Sequence, residues 1–271
     1  MRILVTGGLG FIGHNVVVQL AAQGHDVRIV DNETDYGVVP FDEMRYIMSE
    51  RKQKIPSSVT KHQIDVESSV LRHVFDMFHP EAVVHLASVP RQRVVNANPQ
   101  AGSRVMIEGL INVLELSVKH KVEKFVYVSS SMVYGSFEKA NEDTECRPMG
   151  QYAIMKYTGE KLVQDYSRRT GIDHVIVRPS AVYGPLDIED RVVSKFMLGA
   201  MHGEKLQVRG PWETLDFTHV DDVTDGIVKA TVDRCITWGT YNLSRGRVRT
   251  LQEAAELAIK IAGSGTVEIC S

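Results

Sequence analysis

The chain has 271 residues, 43% hydrophobic and 24% charged, with a formal net charge of -3. Such a length suits one large α/β domain, or a large domain with a smaller lobe, and the weak acidity leaves no basic footprint for a nucleic-acid partner. Cys146, Cys235 and Cys270 are far apart and odd in number, which fits free thiols in the cytoplasm better than a disulfide framework or a metal site.

The N-terminal run MRILVTGGLGFIG is apolar but short and Gly-punctuated, without a cleavage site, so ILVT (3–6) reads as a buried strand rather than a leader. No stretch reaches the roughly 18 apolar residues of a membrane helix, and no membrane partner is expected. TGGLGFIG leaves that strand and opens the helical pattern FIGHNVVVQLAAQ. Its Gly8-x-Gly10-x-x-Gly13 and Gly7-x-x-Gly10-x-x-Gly13 spacings allow a tight turn, close approach of a pyrophosphate to backbone N–H groups around Phe11 and Ile12, and close helix–sheet packing. DVRIV (26–30) is the second strand, and Asp31 ends it, 18 residues after Gly13, with Asn32 next. A carboxylate there accepts hydrogen bonds from ribose hydroxyls and repels a 2′-phosphate, which favours NAD over NADP.

Residues 32–58 form a long insertion whose charged piece FDEMRYIMSERKQK is expected to pack over a site edge or a partner. Asp65 and Val66 end a third strand, and AVVHLA (82–87) supplies His85, Leu86 and Ala87 at the end of a fourth, all on the carboxyl edge where ligands bind. For His85 a packed, hydrogen-bonded role and a cleft role are equal alternatives. KFVYVSS (124–130) and HVIVR (174–178) continue the strands, separated by VESSVLRHVFDMF, AGSRVMIEGLINVLELSVKH and GQYAIMKYTGEKLVQDYSRR with helical period. This β-α alternation predicts an α/β fold, a Rossmann doubly wound parallel sheet, over residues 1–180. Residues 181–271 are expected to form a smaller C-terminal substrate-binding lobe, with some segments returning to the sheet.

QYAIMKYTGEK holds two overlapping Tyr-x-x-x-Lys pairs, Tyr152 with Lys156 and Tyr157 with Lys161. Each can meet on one helix face, but tyrosines five residues apart point about 140° from each other, so only one faces a cofactor. Tyr152 lies in the first turn after the breakers Pro148 and Gly150; Tyr157, beside Gly159, suits a core or helix–helix position.

YAIMKYTGEKLV, taken with the Gly-rich start, Asn98-Pro99, RPSAVYGP (178–185) and DFTHVDDV (216–223) in that order, resembles the extended short-chain dehydrogenase/reductase family. The likeness is greatest to its NAD-dependent nucleotide-sugar epimerases and dehydratases, of the UDP-glucose 4-epimerase kind. The resemblance places Tyr152 and Lys156 in the catalytic positions. Counting back from Val133-Tyr134-Gly135, it puts the catalytic hydroxyl on Ser130, with Ser131 the alternative and a substrate contact. Pro179 joins the residues above as an NAD contact. The resemblance implies that Tyr152 takes a proton from a sugar hydroxyl as hydride leaves the same carbon for NAD, with Lys156 holding the nicotinamide ribose and lowering the tyrosine pKa. It also implies a UDP-sugar substrate and a homodimer formed through helices 99–119 and 150–169.

Dehydratases of this family carry Asp-Glu after the hydroxyl and decarboxylases a Glu, whereas Ser131-Met132 offers no comparable proton-transfer group. The reading is therefore a 4-epimerase-like reaction through a 4-keto intermediate. A dehydratase, reductase or dehydrogenase of the same fold, and a non-catalytic NAD-binding module, are the alternatives. Two positions depart from the family pattern: Met106 stands for Asn, and Leu215 for an Arg that contacts the substrate diphosphate. Arg191, Arg209 and Arg249 are the candidates to hold that diphosphate instead.

Overall fold

The computed structural model describes residues 1–136 and 139–270. Its β-branched runs form β1 (Arg2–Thr6), β2 (Asp26–Asp31), β3 (Thr60–Gln63), β4 (Ala82–His85), β5 (Lys124–Val128) and β6 (Asp173–Pro179). The connecting helices are α1 (Phe11–Ala22), α2 (Phe41–Lys54), α3 (Leu71–Phe78), α4 (Gln92–Ala97), α5 (Pro99–Ser103), α6 (Gly109–Lys119) and α7 (Gln151–Thr170). Then follow β7 (Val182–Tyr183), α8 (Val192–Met201), β8 (Lys205–Arg209), β9 (Thr214–Leu215), β10 (Thr218–His219), α9 (Val220–Val232), β11 (Gly239–Leu243), β12 (Arg249–Thr250), α10 (Leu251–Ala262) and β13 (Thr266–Cys270).

Seven strands make one sheet in the order β11-β6-β5-β4-β1-β2-β3, every pair parallel. The doubly wound Rossmann arrangement is thus present, completed by β11 from the C-terminal third. Alternation along each strand assigns the faces. Ile3, Val5, Ile29 and Val84 pack with Val16, Val17 and Leu20 of α1 and with Val223 and Ile227 of α9. Leu4, Val30, Val83, Phe125 and Ile176 pack on the other side with α3, α6 and α7, through Phe75, Leu110, Leu114 and Val163. A separate small core, Phe196, Ala200, Leu206, Val208, Ala255 and Ala258, binds α8, α10 and the β8–β13 pair. The chain changes direction across the sheet between β1 and β4, and the crevice this opens at their carboxyl ends is where a ligand fits such a fold.

Two helical readings are corrected. VESSV does not join α3. Asp65 Oδ1 accepts from Glu67 N at 3.3 Å and Ser68 Oγ from Val70 N at 3.2 Å, and these local bonds hold the backbone in turns that compete with a helix. The pattern over 99–119 is interrupted by a π-helical turn, Arg104–Glu108, between α5 and α6. Met106 lies in that turn and packs with Val89, Val95 and Met155.

His85 proves to be a packed histidine. It is 1% exposed, its Nδ1 lies 2.9 Å from Thr6 Oγ1, and its ring stacks between Phe125 and Tyr127. Burial, with Lys156 acting in the same direction, pushes its pKa from 6.5 down to about 3. An unfolded imidazole binds a proton below pH 6.5 that this folded one refuses, so its contribution to stability is complete above 6.5 and declines as the pH falls towards 3. The slope is up to about 1.4 kcal/mol per pH unit. Urea unfolding of His85→Gln between pH 7.5 and 5 should therefore show a shallower acid loss than the parent; equal slopes would mean that His85 is not the group responsible.

Candidate functional site

A cleft of about 760 Å³ runs along the carboxyl edge of the sheet. At one end the phosphate loop turns sharply at Gly7, whose φ is +71° and where a Cβ would come within 2.7 Å of Ala87 N. Gly10 caps α1 without any side-chain hydrogen bond, so the first amides of α1 keep their donors available, as an anion at a helix start requires. Asp31 is the last residue of β2, its Oδ2 accepting from Leu9 N at 2.9 Å and its Oδ1 from Glu33 N at 2.8 Å. Burial raises its pKa, opposed by those two N–H groups, and each carboxylate oxygen retains a lone pair for a ribose hydroxyl. Asn32 Nδ2 donates to Asp65 Oδ2 at 3.0 Å, and Asn112 Nδ2 to Val66 O at 2.7 Å, which holds the β3 end against the cleft. A glycine cradle, uncapped amides and a ribose-facing carboxylate together fit an adenine dinucleotide.

The other end is built by β5 and α7. Tyr152, Lys156 and Glu160 recur every four residues and share one face of α7. Lys156 Nζ is buried, donates to Val128 O at 2.8 Å, and lies 6.0 Å from the Tyr152 ring centroid. Burial brings Lys156 down to about 8, with Glu160 pulling upward. Burial raises Tyr152, opposed by the Arg191 charge and by a side-chain hydrogen bond with Ser130. Ser130 precedes a single 3₁₀ turn, Ser131–Tyr134, and accepts from Met132 N at 3.2 Å. Tyr157 turns away from the cleft, with Lys161 Nζ 4.8 Å from its ring centroid. Of the two pairs, only Tyr152 and Lys156 enter the cleft.

Glu160, wholly buried, takes Ser129 Oγ at 2.5 Å and Arg178 in a fork at 2.9 and 2.6 Å. Arg178 Nη1 donates to Tyr134 OH at 2.8 Å, which in turn donates to Asn242 Oδ1 at 2.8 Å. This chain of bonds crosses from α7 to β11 beneath the reacting end.

The facing wall carries charge. Arg91 Nη1 pairs with Asp190 at 2.6 Å, while its Nε and Nη2 are buried and find no hydrogen-bond partner among the described residues. Arg191 Nη2 donates to Pro90 O at 3.4 Å. Asp187 is raised by burial, against the nearby Arg191, Arg51 and Arg91 charges. Met132, Leu215 and Phe217 supply apolar surface.

The cleft brings together Gly7, Gly10, Phe11, Ile12, Gly13, Asp31, Asn32, Asp65, Val66, Leu86, Ala87, Ser130, Ser131, Tyr152, Lys156, Pro179 and Arg191. Arg209 and Arg249 lie outside its lining, both exposed, on the short strands β8 and β12. The inserted segment does pack over the site edge: Tyr36, Val38, Met44, Met48 and Arg51 all line the cleft. Sequence reasoning missed Arg51, Arg91 and Asp187. The signal for Arg51 was present, since it follows Ile47 and Met48 on the apolar stripe of an otherwise charged helix.

Residues 3–243 match the model of the NAD dependent epimerase/dehydratase family. Protein CapI of Staphylococcus aureus is 32% identical over 232 residues, covering 84% of this chain and 68% of that one. The UDP-glucuronate 4-epimerase of Thermodesulfobacterium geofontis is 31% identical over 229 residues, 83% and 70% of the two chains. The crystal structure of UDP-glucuronic acid 4-epimerase from Bacillus cereus, in complex with UDP-glucuronic acid and NAD, superposes with a TM-score of 0.89 at 26% identity, covering 100% of this chain and 86% of that one. No helix among the described residues is long and apolar enough to cross a membrane.

Proposed function

The chain belongs to the NAD-dependent epimerase/dehydratase family, and from that premise we propose that it epimerises a nucleotide sugar, a UDP-sugar, at C4. The observation that carries this reading over dehydration is the pair Ser131-Met132 lining the cleft directly after Ser130. Elimination of water needs an added acid and base there, and a thioether can be neither. Bound NAD supplies a hydride acceptor and donor next to the sugar carbon. Tyr152 removes the proton of the C4 hydroxyl, Ser130 holds the same oxygen by a hydrogen bond, and Lys156 supplies the positive charge that favours the phenolate. The 4-keto sugar then turns within the cleft, and Tyr152 returns the proton as the hydroxyl re-forms on the opposite face.

Arg191, with Arg91 behind it, is the cation set proposed to take an anion on the substrate, in place of the arginine that Leu215 lacks. Their donors suit a diphosphate or the carboxylate of a hexuronate equally. A homodimer through α6 and α7 belongs to the same proposal, since Ile154 is 46% exposed on α7 and Ile111 and Leu162 are incompletely covered.

The test is incubation of the purified protein, without added NAD, with UDP-glucose, UDP-galactose, their N-acetyl forms and UDP-glucuronic acid, following the anomeric protons by NMR. One sugar should give its C4 epimer with no net NADH, and conversion confined to UDP-glucuronic acid would assign the arginines to its carboxylate. Accumulating NADH, or a 4-keto-6-deoxy product, would replace epimerisation by dehydrogenation or dehydration.

A further inference from the structure

Arg51 is a buried cation. It is 5% exposed, and among the described residues no carboxylate lies within salt-bridge distance of it. Its guanidinium instead spans two carbonyls from distant parts of the chain. Nη1 donates to Leu9 O, in the phosphate loop, at 3.3 Å; Nη2 and Nε donate to Leu186 O at 2.8 and 3.3 Å. Leu186 holds a left-handed φ of 65°, a conformation that costs a branched residue energy unless its surroundings fix it. One further bond anchors α2 to the same loop, Glu43 Oε1 accepting Glu189 N at 2.8 Å, while Lys52 pairs with Glu33 within the segment itself. Leu9, Met48, Arg51, Asp187 and Ile188 all line the cleft.

We propose that the segment 32–58 is a cofactor-retaining strap, with Arg51 as its clasp: it ties the phosphate loop to the 184–191 loop across the cleft and offers the dinucleotide diphosphate its positive charge. This rests on the proposed reading that NAD stays bound through turnover. Burial lowers Arg51 only to about 10, with Asp187 and Asp31 opposing the shift, so at neutral pH the guanidinium is charged. A buried charge of this kind is costly until an anion arrives. Cofactor departure requires the Leu9–Arg51–Leu186 bridge to open, so the same side chain slows release and strengthens binding. An epimerase gains from both, because each turnover needs the same nucleotide twice.

The test compares Arg51→Met and Arg51→Lys with the parent, all purified without added NAD. Three quantities are read: NAD released per chain by acid, the rate at which bound NAD exchanges with labelled NAD, and the melting temperature with and without NAD. Arg51→Met should carry less NAD, exchange it about 10- to 100-fold faster, the loss expected for charge-assisted bonds, and gain less melting temperature from added NAD. Arg51→Lys, which keeps the charge but cannot reach both carbonyls, should fall between, and it carries the comparison if the Met variant fails to fold. A lower melting temperature without NAD, combined with unchanged exchange and an unchanged NAD-induced shift, would make Arg51 a structural brace and overturn the proposal. Unchanged values throughout would overturn it too. Either failure leaves the epimerase reading standing, because NMR of the parent protein tests that separately.

Discussion

Tyr152→Phe is expected to reduce turnover by about 10²- to 10⁴-fold, the range for losing a positioned general acid–base group, while the NAD content of the protein stays unchanged. The phenol oxygen is the atom at stake, since the ring remains to fill the same space. Its surroundings oppose one another: burial favours the neutral phenol, and Arg191 and the Ser130 hydrogen bond favour the phenolate. Lys156 is buried on the same helix face, fixed by Val128 O, with its Nζ 6.0 Å from the Tyr152 ring centroid. Tyr157→Phe is the matching control. Its ring faces away from the cleft beside Lys161, and its loss should leave kcat within error of the parent. Turnover and acid-released NAD measured on both variants decide the matter. A Tyr152→Phe enzyme within a few-fold of the parent would remove the phenol from the chemistry and with it the proposed mechanism.

The strands and the dinucleotide end were legible because their signals are local. ILVT, DVRIV and AVVHLA are continuous β-branched runs, and the glycines of TGGLGFIG are demanded by a turn and a close approach that the structure displays at Gly7 and Ala87. That only one of Tyr152 and Tyr157 can face the cleft was also local, since five residues of helix turn the two apart; which one does so rested on the first-turn position of Tyr152 and on the family resemblance. What escaped was whatever depends on contacts distant in sequence. Arg51 meets Leu186 over a separation of 135 residues, and its place on the apolar stripe with Ile47 and Met48 marks it as inward-facing without telling which carbonyls it will meet. Arg91 and Asp187 acquire their roles only because the loops after β4 and β7 face each other. The turns of VESSV and the π-helical turn before α6 were hidden for the opposite reason: a helical hydrophobic period persists through both, and periodicity cannot register a local change in hydrogen bonding.

Glu160 allows a sharper test of how the reacting end is held. Lys156 binds Val128 O and Glu160 binds Ser129 Oγ, so two successive turns of α7 clip the last residue of β5 and the residue after it and leave Ser130 directed at Tyr152. Glu160→Ala removes one clip and strands Arg178, 5% exposed, without its carboxylate. Breaking a buried pair from one side costs roughly 3–5 kcal/mol, a fall of about 10 °C in melting temperature for a chain this size. Replacing both partners, Glu160→Leu with Arg178→Leu, should recover most of that loss, because well-packed apolar groups avoid the desolvation that the ions incur. Activity should not recover with it. Glu160 is the charge that holds the Lys156 pKa up against burial, so in its absence the ammonium is lost at a lower pH. The double variant should then show its alkaline limb of kcat/KM displaced to more acid pH. A double variant with both stability and an unshifted pH profile restored would show that the pair serves packing alone. Stability restored without the profile would show that the third residue of the Tyr152–Lys156–Glu160 face sets the charge on which the other two depend.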